Sequence, residues 1–312
     1  TGVQTCALPI YEQAEVVVLG SGPGGYTAAF RAADLGKNVV LIEKEEVLGG
    51  VCLNVGCIPS KALLHVAEVV SEANEFEELG IKFNKPKIDT DKLRAHKDGV
   101  ISKLTTGLKG MAKQRKVTTI HGFGKFTSAN TIEVEAADGS KKTVGFENCI
   151  IAAGSSVTKL PFIPWEDERV WDSTEALELH NIPKRLLVVG GGIIGLEMAT
   201  VYSALGAKVT VVELSPGLIP GADRDLIRPF EKTLKKRYEN IYTSTKVTEL
   251  TTTTKGMVCK FESAKAPEED TFDNVLVAIG RSPNGKLIDA DKAGVVVNDH
   301  GFIPVEIGRA HV

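Results

Sequence analysis

Residues 16–25 read Val16-Val17-Val18-Leu19-Gly20-Ser21-Gly22-Pro23-Gly24-Gly25, and residues 39–43 read Val39-Val40-Leu41-Ile42-Glu43. An apolar run enters a GxGxxG turn, a helical stretch follows from Tyr26 to Leu35, and a second apolar run ends on an acid. This is the pattern of strand, turn, helix and strand in a buried parallel sheet. Each glycine has a separate reason. Gly20 makes the tight turn, Gly22 lets the backbone approach a pyrophosphate, and Gly25 lets helix and strand pack closely. The helix N-terminus then presents free N–H groups and a favourable dipole to phosphate. Glu43 stands where a carboxylate accepts hydrogen bonds from a ribose diol.

The pattern occurs twice. Gly190, Gly192, Gly195 and Glu213 repeat Gly20, Gly22, Gly25 and Glu43 at one constant offset, and Leu205-Gly206 repeats Leu35-Gly36. The second copy has its own strand, Leu186 to Val189, its helix, Leu196 to Leu205, and its second strand, Val209 to Val212. Both copies end alike, with Cys149 to Ala153 running into Gly154 and Val275 to Ile279 into Gly280. Turn-broken, β-rich sequence precedes each end, at 117–144 and 241–272. The expected fold is therefore α/β, with two doubly wound Rossmann-like domains, each carrying a β-meander crossover. The expected boundaries are 11–150 for the first domain, 151–280 for the second and 281–306 for the start of another.

The first copy also carries an insertion between its acid and its end. Within the insertion lies Gly49-Gly50-Val51-Cys52-Leu53-Asn54-Val55-Gly56-Cys57-Ile58-Pro59-Ser60-Lys61. A zinc site would need two further ligands. Cys149 and Cys259 each stand alone in strand-like stretches and read as small core residues, so no metal is expected. Positions i and i+5 of a regular helix lie ~8–9 Å apart, whereas a disulfide needs Cα atoms within ~7 Å. The segment must be unwound or looped if Cys52 and Cys57 are to bond, and its glycines give that freedom. Pro59 suits the first turn of a following helix through Ala62, Leu63, Val66, Ala67 and Val70. Cys57 is then expected just before a helix N-terminus with Lys61 one turn on, surroundings in which a cysteine reacts as its thiolate. Two nucleotide turns with a dithiol between them suggest electron transfer from thiols through a flavin to a nicotinamide.

Bulk properties narrow the class. The 312 residues leave room for two domains, with 43% hydrophobic and 25% charged residues, as in ordinary globular proteins. A net charge of -3 gives no field for nucleic acid or an anionic membrane. The basic runs at 113–116 and 235–237 read as solvated faces. No apolar run approaches the ~20 residues of a membrane span. Five cysteines are too few for a secreted disulfide scaffold, and the six histidines show no metal-ligand spacing. His65 reads as a packed or solvated helix residue.

The two ends share an odd relation. A DNA that encodes Ile307 to Val312, reverse-complemented and read in another frame, lies inside a coding sequence for Thr1 to Ile10. Both resemble a sequencing-library adapter read as protein. They are expected to be non-native tails, 1–10 and 307–312, with the native protein continuing beyond Glu306.

With these residues in place, the sequence from Glu15 to about Glu306 resembles the flavin-dependent pyridine nucleotide–disulfide oxidoreductases, and within them the lipoamide branch of bacterial type. The matching segments are Gly49 to Leu64, Gly190 to Met198 and Val277 to Asn284. The resemblance implies FAD on Gly20, Gly22, Gly25, Glu43, Lys44, Gly50, Lys61, Gly124 and Ala153-Gly154-Ser155. It implies NAD on Gly190, Gly192, Ile193, Ile194, Gly195, Glu213, Val247 and Gly280. Cys52 would exchange with a dihydrolipoyl group, Cys57 would face the flavin, and Lys61 would pair with Glu197. Taken alone, Glu197 reads equally as a helix-surface carboxylate. Glu213, the absence of arginine from Leu214 to Ala222, and Gly195 all favour NAD over NADP. Ile193 stands where glutathione reductases usually carry an aromatic gate.

The implied activity is NAD-dependent oxidation of protein-bound dihydrolipoamide. The implied partners are the lipoyl domains of 2-oxo acid dehydrogenase or glycine cleavage complexes. Homodimerisation, a bacterial cytoplasmic location and no nucleic-acid or membrane partner complete the expectation. The family's second acidic flavin motif and C-terminal His–Glu pair are not in the sequence, so the chain as written is expected to lack normal turnover and to hold FAD weakly. The alternatives are another disulfide or mercuric reductase, or a non-catalytic flavin- or NAD-binding redox module.

Overall fold

The computed structural model describes residues 11–306. The stretches read as adapter-derived tails, 1–10 and 307–312, lie outside the described residues. Two compact units are present: 11–54, 101–156 and 282–306 form the first, and 55–100 with 157–281 form the second.

The first unit opens with β1 (Tyr11–Leu19), α1 (Pro23–Asp34), β2 (Val39–Glu43) and α2 (Gly50–Val55). The chain then enters the second unit through α3 (Cys57–Glu75). It returns along α4 (Thr90–Gln114) to β3 (Thr118–His121), β4 (Phe123–Ser128), β5 (Thr131–Glu135) and β6 (Lys141–Ile151). The sheet order is β3-β2-β1-β6-β5-β4. Its first four strands are parallel, with Val16 opposite Val39, Val40 opposite Thr118 and Val17 opposite Cys149. Strand β2 is buried along its whole length, as a strand covered on both faces must be. Strands β4 and β5 alternate instead, turning Phe126, Ile132 and Val134 inward.

The second unit contains β8 (Val170–Trp171), after the short β7 (Ser155–Val157) that carries the chain out of the first. Then come α5 (Ser173–Glu178), β9 (Arg185–Val189), α6 (Ile193–Ala204), β10 (Lys208–Val212), α7 (Arg224–Arg237) and β11 (Asn240–Tyr242). Strands β12 (Lys246–Thr253), β13 (Gly256–Glu262) and β14 (Glu269–Phe272) form a separate antiparallel sheet, and β15 (Asn274–Val277) returns to the parallel one. The parallel order is β11-β10-β9-β15-β8. One core, with Leu186, Val188, Met198 and Tyr202, lies on the α6 face. The other, with Val189, Val275, Met257 and Phe272, lies against the meander.

The α/β fold with two parallel sheets and two meanders is the expected one, with several corrections. Helices α1 and α6 begin at Pro23 and Ile193, one residue after the second glycine, rather than at Tyr26 and Leu196. The third glycine therefore lies inside the first turn, where strand contact outweighs its poor helix propensity. Helix α3 starts at Cys57 itself and runs to Glu75, so Pro59 is its third residue. Strands β3 and β11, placed by sequence within the meanders, join the parallel sheets. The 25-residue α4 follows the insertion and was not read from sequence. Finally, 50–79, counted as one helical run, is long and apolar enough to cross a membrane by length and composition, its most apolar 18-residue window having mean hydropathy 1.3. Asn54, Ser60 and Lys61 interrupt its apolar residues, whereas an averaged window passes over them. That run is broken at Gly56, and α3 buries Leu63 and Ala67 in the core of the second unit.

Candidate dinucleotide turns and dithiol helices

In the first unit, a Cβ on Gly20 would fall 2.2 Å from the Ala152 carbonyl oxygen, and one on Gly25 would fall 1.8 Å from the Gly20 oxygen. The second unit repeats this: Gly190 faces the Ala278 oxygen at 2.3 Å, and Gly195 the Gly190 oxygen at 2.2 Å. Protein packing alone accounts for these four glycines. The middle pair differs. A Cβ on Gly22 or Gly192 would meet no protein atom within 4 Å. Each is also the N-cap of its helix and makes no side-chain capping bond. Helix α5 shows the contrast, since Asp172 and Glu175 close its N-terminus in a full capping box. Open space above two helix N-termini that no side chain caps fits a pyrophosphate, which would take their N–H groups.

The two acids are buried, Glu43 at 5% exposure and Glu213 at 8%. Each ties its turn to the loop that follows it. Ser21 donates its N–H (2.9 Å) and its hydroxyl (2.5 Å) to Glu43 Oε2, and Glu45 N–H donates to Oε1 (3.0 Å). In the second unit Gly191 N–H donates to Glu213 Oε2 (2.7 Å), and Ser215 N–H to Oε1 (2.7 Å). A carboxylate accepts about four hydrogen bonds, so both acids retain capacity for a ribose hydroxyl.

The start of the dithiol segment sits on the first turn. Gly49 N–H donates to the Ser21 carbonyl (3.0 Å), and a Cβ on Gly50 would fall 2.7 Å from Gly22 Cα. Gly50 has φ +56, so a side chain would be strained there as well as blocked. Cys52 lies in α2 of the first unit and is half-buried; Cys57 opens α3 of the second and is exposed. Gly56, at φ −148 and ψ −113, interrupts the helical path between them. Within the second unit Lys61 Nζ donates to Glu197 Oε1, linking α3 to α6.

The other expected residues are dispersed. Lys44 is exposed and pairs with Glu45. Gly124 is buried in β4, where a Cβ would fall 2.7 Å from Leu19 Cδ1. The Ala153 and Gly154 carbonyls accept from Asn284 Nδ2 and N–H at the end of β6, and Ser155 begins β7. Ile193 and Ile194 are exposed on the first turn of α6. Gly280 follows β15, and its carbonyl accepts from Thr158 N–H. Val247 is buried in β12 within the meander core, so its side chain is core material. Burial pushes the thiols of Cys149 and Cys259 up to about 12, which keeps both protonated. Among the described residues no cluster of metal-ligating side chains exists. Sequence reasoning passed over Ser21, Gly191 and Ser215, which hold the acids. Their positions are the unspecified ones of the fingerprint, and only the bonds reveal them.

A family model described as pyridine nucleotide-disulphide oxidoreductase matches residues 14–307. The chain is 57% identical over 295 residues to a dihydrolipoyl dehydrogenase of Vibrio cholerae, covering 94% of this chain and 62% of that protein. The relative from Haemophilus influenzae is 54% identical over 292 residues, covering 94% and 61%. A solved structure, the HOCl-induced flavoprotein disulfide reductase RclA from Escherichia coli, superposes with a TM-score of 0.80 at 26% identity, covering 94% of this chain and 62% of its own. The chain thus spans about 62% of the length of the curated relatives it matches. Its two glycine turns, its dithiol and the match over nearly its whole length place it in the pyridine nucleotide-disulphide oxidoreductase family.

Proposed function

We propose that this chain carries the nucleotide-binding and dithiol parts of a dihydrolipoyl dehydrogenase, which oxidises protein-bound dihydrolipoamide and reduces NAD+. The observation that carries the reading is the pair of uncapped, open glycine turns, one of them seated against the helix that bears Cys52. FAD and NAD are the cofactors the family implies. When bound, they supply two-electron acceptance from a dithiol and hydride transfer.

The chain's own residues divide the remaining work. In this assignment 11–150 is the FAD domain, 151–280 the NAD domain and 281–306 the start of a central domain. Gly20, Gly22, Gly25 and Glu43 hold FAD, with Lys44, Gly50, Gly124 and 153–155 around it. Gly190, Gly192, Gly195 and Glu213 hold NAD, with Ile193, Ile194, Val247 and Gly280 around it. A dihydrolipoyl thiolate attacks Cys52 of a Cys52–Cys57 disulfide, and Cys57 leaves as a thiolate. The second dihydrolipoyl thiol then displaces Cys52, so lipoyl disulfide is released and the protein holds both thiols. Lys61, held by Glu197, stands one turn along α3 from Cys57. Lipoyl domains as partners, a homodimer and a bacterial cytoplasmic setting belong to the same proposal, supported by the bacterial relatives.

The test is single-turnover reduction of the FAD-loaded chain by dihydrolipoamide. Bleaching of the flavin's visible absorption, lost in both Cys52→Ser and Cys57→Ser, is expected. Bound flavin that dihydrolipoamide leaves oxidised would favour the non-catalytic module.

A further inference from the structure

The loop after Glu213, residues 214–222, holds a strained backbone. Ile219 has φ +46. A β-branched residue is a steric outlier there, and its position before Pro220 restricts it further. Both sides of the residue are gripped. Its N–H donates to the Gly191 carbonyl (2.9 Å), and its own carbonyl accepts from Arg224 Nη2 (2.7 Å). Arg224 also donates from Nη1 to the Leu218 carbonyl (2.9 Å) and from Nε and Nη2 to the Ala222 carbonyl (3.1 and 3.0 Å). The guanidinium lies against Gly217, where a Cβ would fall 2.8 Å from Nη1. Two turns along α7, Glu231 accepts from Leu218 N–H at 3.4 Å.

This loop reaches the nucleotide turn directly. Leu218 is fully buried, and its Cδ2 stands 2.5 Å from where a Cβ on Gly191 would be. Ser215, at the start of the loop, donates to Glu213. The groups that aim Glu213 are therefore backbone groups whose position depends on a strained loop, and Arg224 holds that strain. In a site for a 2′-phosphate, an arginine beside the ribose turns its fork to the phosphate. Here every nitrogen of the Arg224 guanidinium is committed to a backbone carbonyl.

We propose that Arg224 is a positioning residue for nucleotide selectivity: it locks 214–222 so that Glu213 meets an unphosphorylated ribose, and it is not a phosphate clamp. The inference rests on the second glycine turn binding NAD.

The test titrates the full chain with NAD+ and NADP+ by calorimetry, as wild type, Arg224→Ala, Arg224→Lys and Ile219→Gly/Arg224→Ala. Wild type binds NAD+ more tightly than NADP+. Arg224→Ala weakens NAD+ about tenfold and narrows the NAD+/NADP+ ratio by a similar factor, on the scale of losing charge-assisted bonds. Arg224→Lys restores part of the ratio. The double variant restores part of the NAD+ affinity, because glycine adopts the loop conformation without help. Three results overturn the proposal: no change in the ratio, an equal loss for both nucleotides in step with a lower Tm, or a larger loss for NADP+, which would mark a clamp. Wild type that binds neither nucleotide would instead overturn the reading of the site itself, a separate and recognisable failure.

Discussion

In the first unit the glycine turn is held by a side chain: Ser21 sends both its N–H and its hydroxyl to Glu43. In the second unit that place belongs to Gly191, whose N–H alone reaches Glu213, and the space a side chain would fill holds Leu218 from a distant loop. The helices differ in the same way. On α1 only Gly25, Ala29 and Phe30 are buried, whereas α6 buries residues on most of its circumference. The cover on α6 includes α3, from the insertion, whose Leu63 and Ala67 share its core. One backbone solution is thus supported locally in one copy and by long-range packing in the other. Identical fingerprints fix the turn; they do not fix what holds it.

The strongest way to break this comparison is at the third glycine. Gly25→Ala and Gly195→Ala each drive a Cβ into a carbonyl oxygen, and should destabilise their units by about 3–5 kcal/mol. Chemical denaturation should show equal damage in both, because the clash is with backbone in each case. Gly22→Ala and Gly192→Ala are the controls: stability changes by less than about 1 kcal/mol, while nucleotide affinity is lost. If Gly22→Ala unfolds the first unit as Gly25→Ala does, the space above the turn is not a ligand site.

Alkali should separate the units next. Cys149 in the first unit and Cys259 in the second are raised from 9.0 to about 12 by burial. The second unit adds Tyr238, raised from 10.0 to about 12, and Tyr202, raised further, both by burial. Each of these groups keeps its proton in the fold. Their contribution is complete below pH 9 and is lost between 9 and 12, where the unfolded chain ionises first. Circular dichroism against pH should show the second unit, with more such groups, failing at the lower pH. A first unit that fails earlier would contradict the burial difference.

The smallest effects sharpen the account of the acids. Glu43→Ala should cost about 2–4 kcal/mol and Glu213→Ala somewhat less, since Glu43 holds the Ser21 hydroxyl in addition to two backbone donors. Ser21→Ala should cost about 1 kcal/mol, the difference between the two acids. Urea midpoints at constant slope measure all three. Equal costs for the two acids would mean that the hydroxyl adds nothing to the turn.

Much of this was legible in the chain. The constant offset between the two glycine patterns, the apolar runs at 16–19 and 186–189 and the acids at Glu43 and Glu213 gave the strands, turns and helices to within a few residues. They rest on short-range physics: glycine torsion, strand burial and the helix start are settled within a dozen residues. Gly25 and Gly195 were misplaced outside their helices, because propensity argues against glycine there and only the carbonyl of Gly20 or Gly190 argues for it. Strands β3 and β11 were drawn into the meanders because periodicity does not tell which neighbour a strand will pair with.

By itself, the sequence determined that there are two nucleotide-type turns, that a dithiol segment is inserted after the first, and that each turn is followed by an acid. Only the tertiary structure decided that α3 covers α6 and that Gly124 and Val247 lie in packed cores. It alone turned Arg224 onto loop carbonyls, when no arginine inside 214–222 had suggested any cation at all. The reason is physical. Torsional preference is written residue by residue, whereas a side chain's partner depends on which distant segment reaches the same space, and that is settled only when the chain packs.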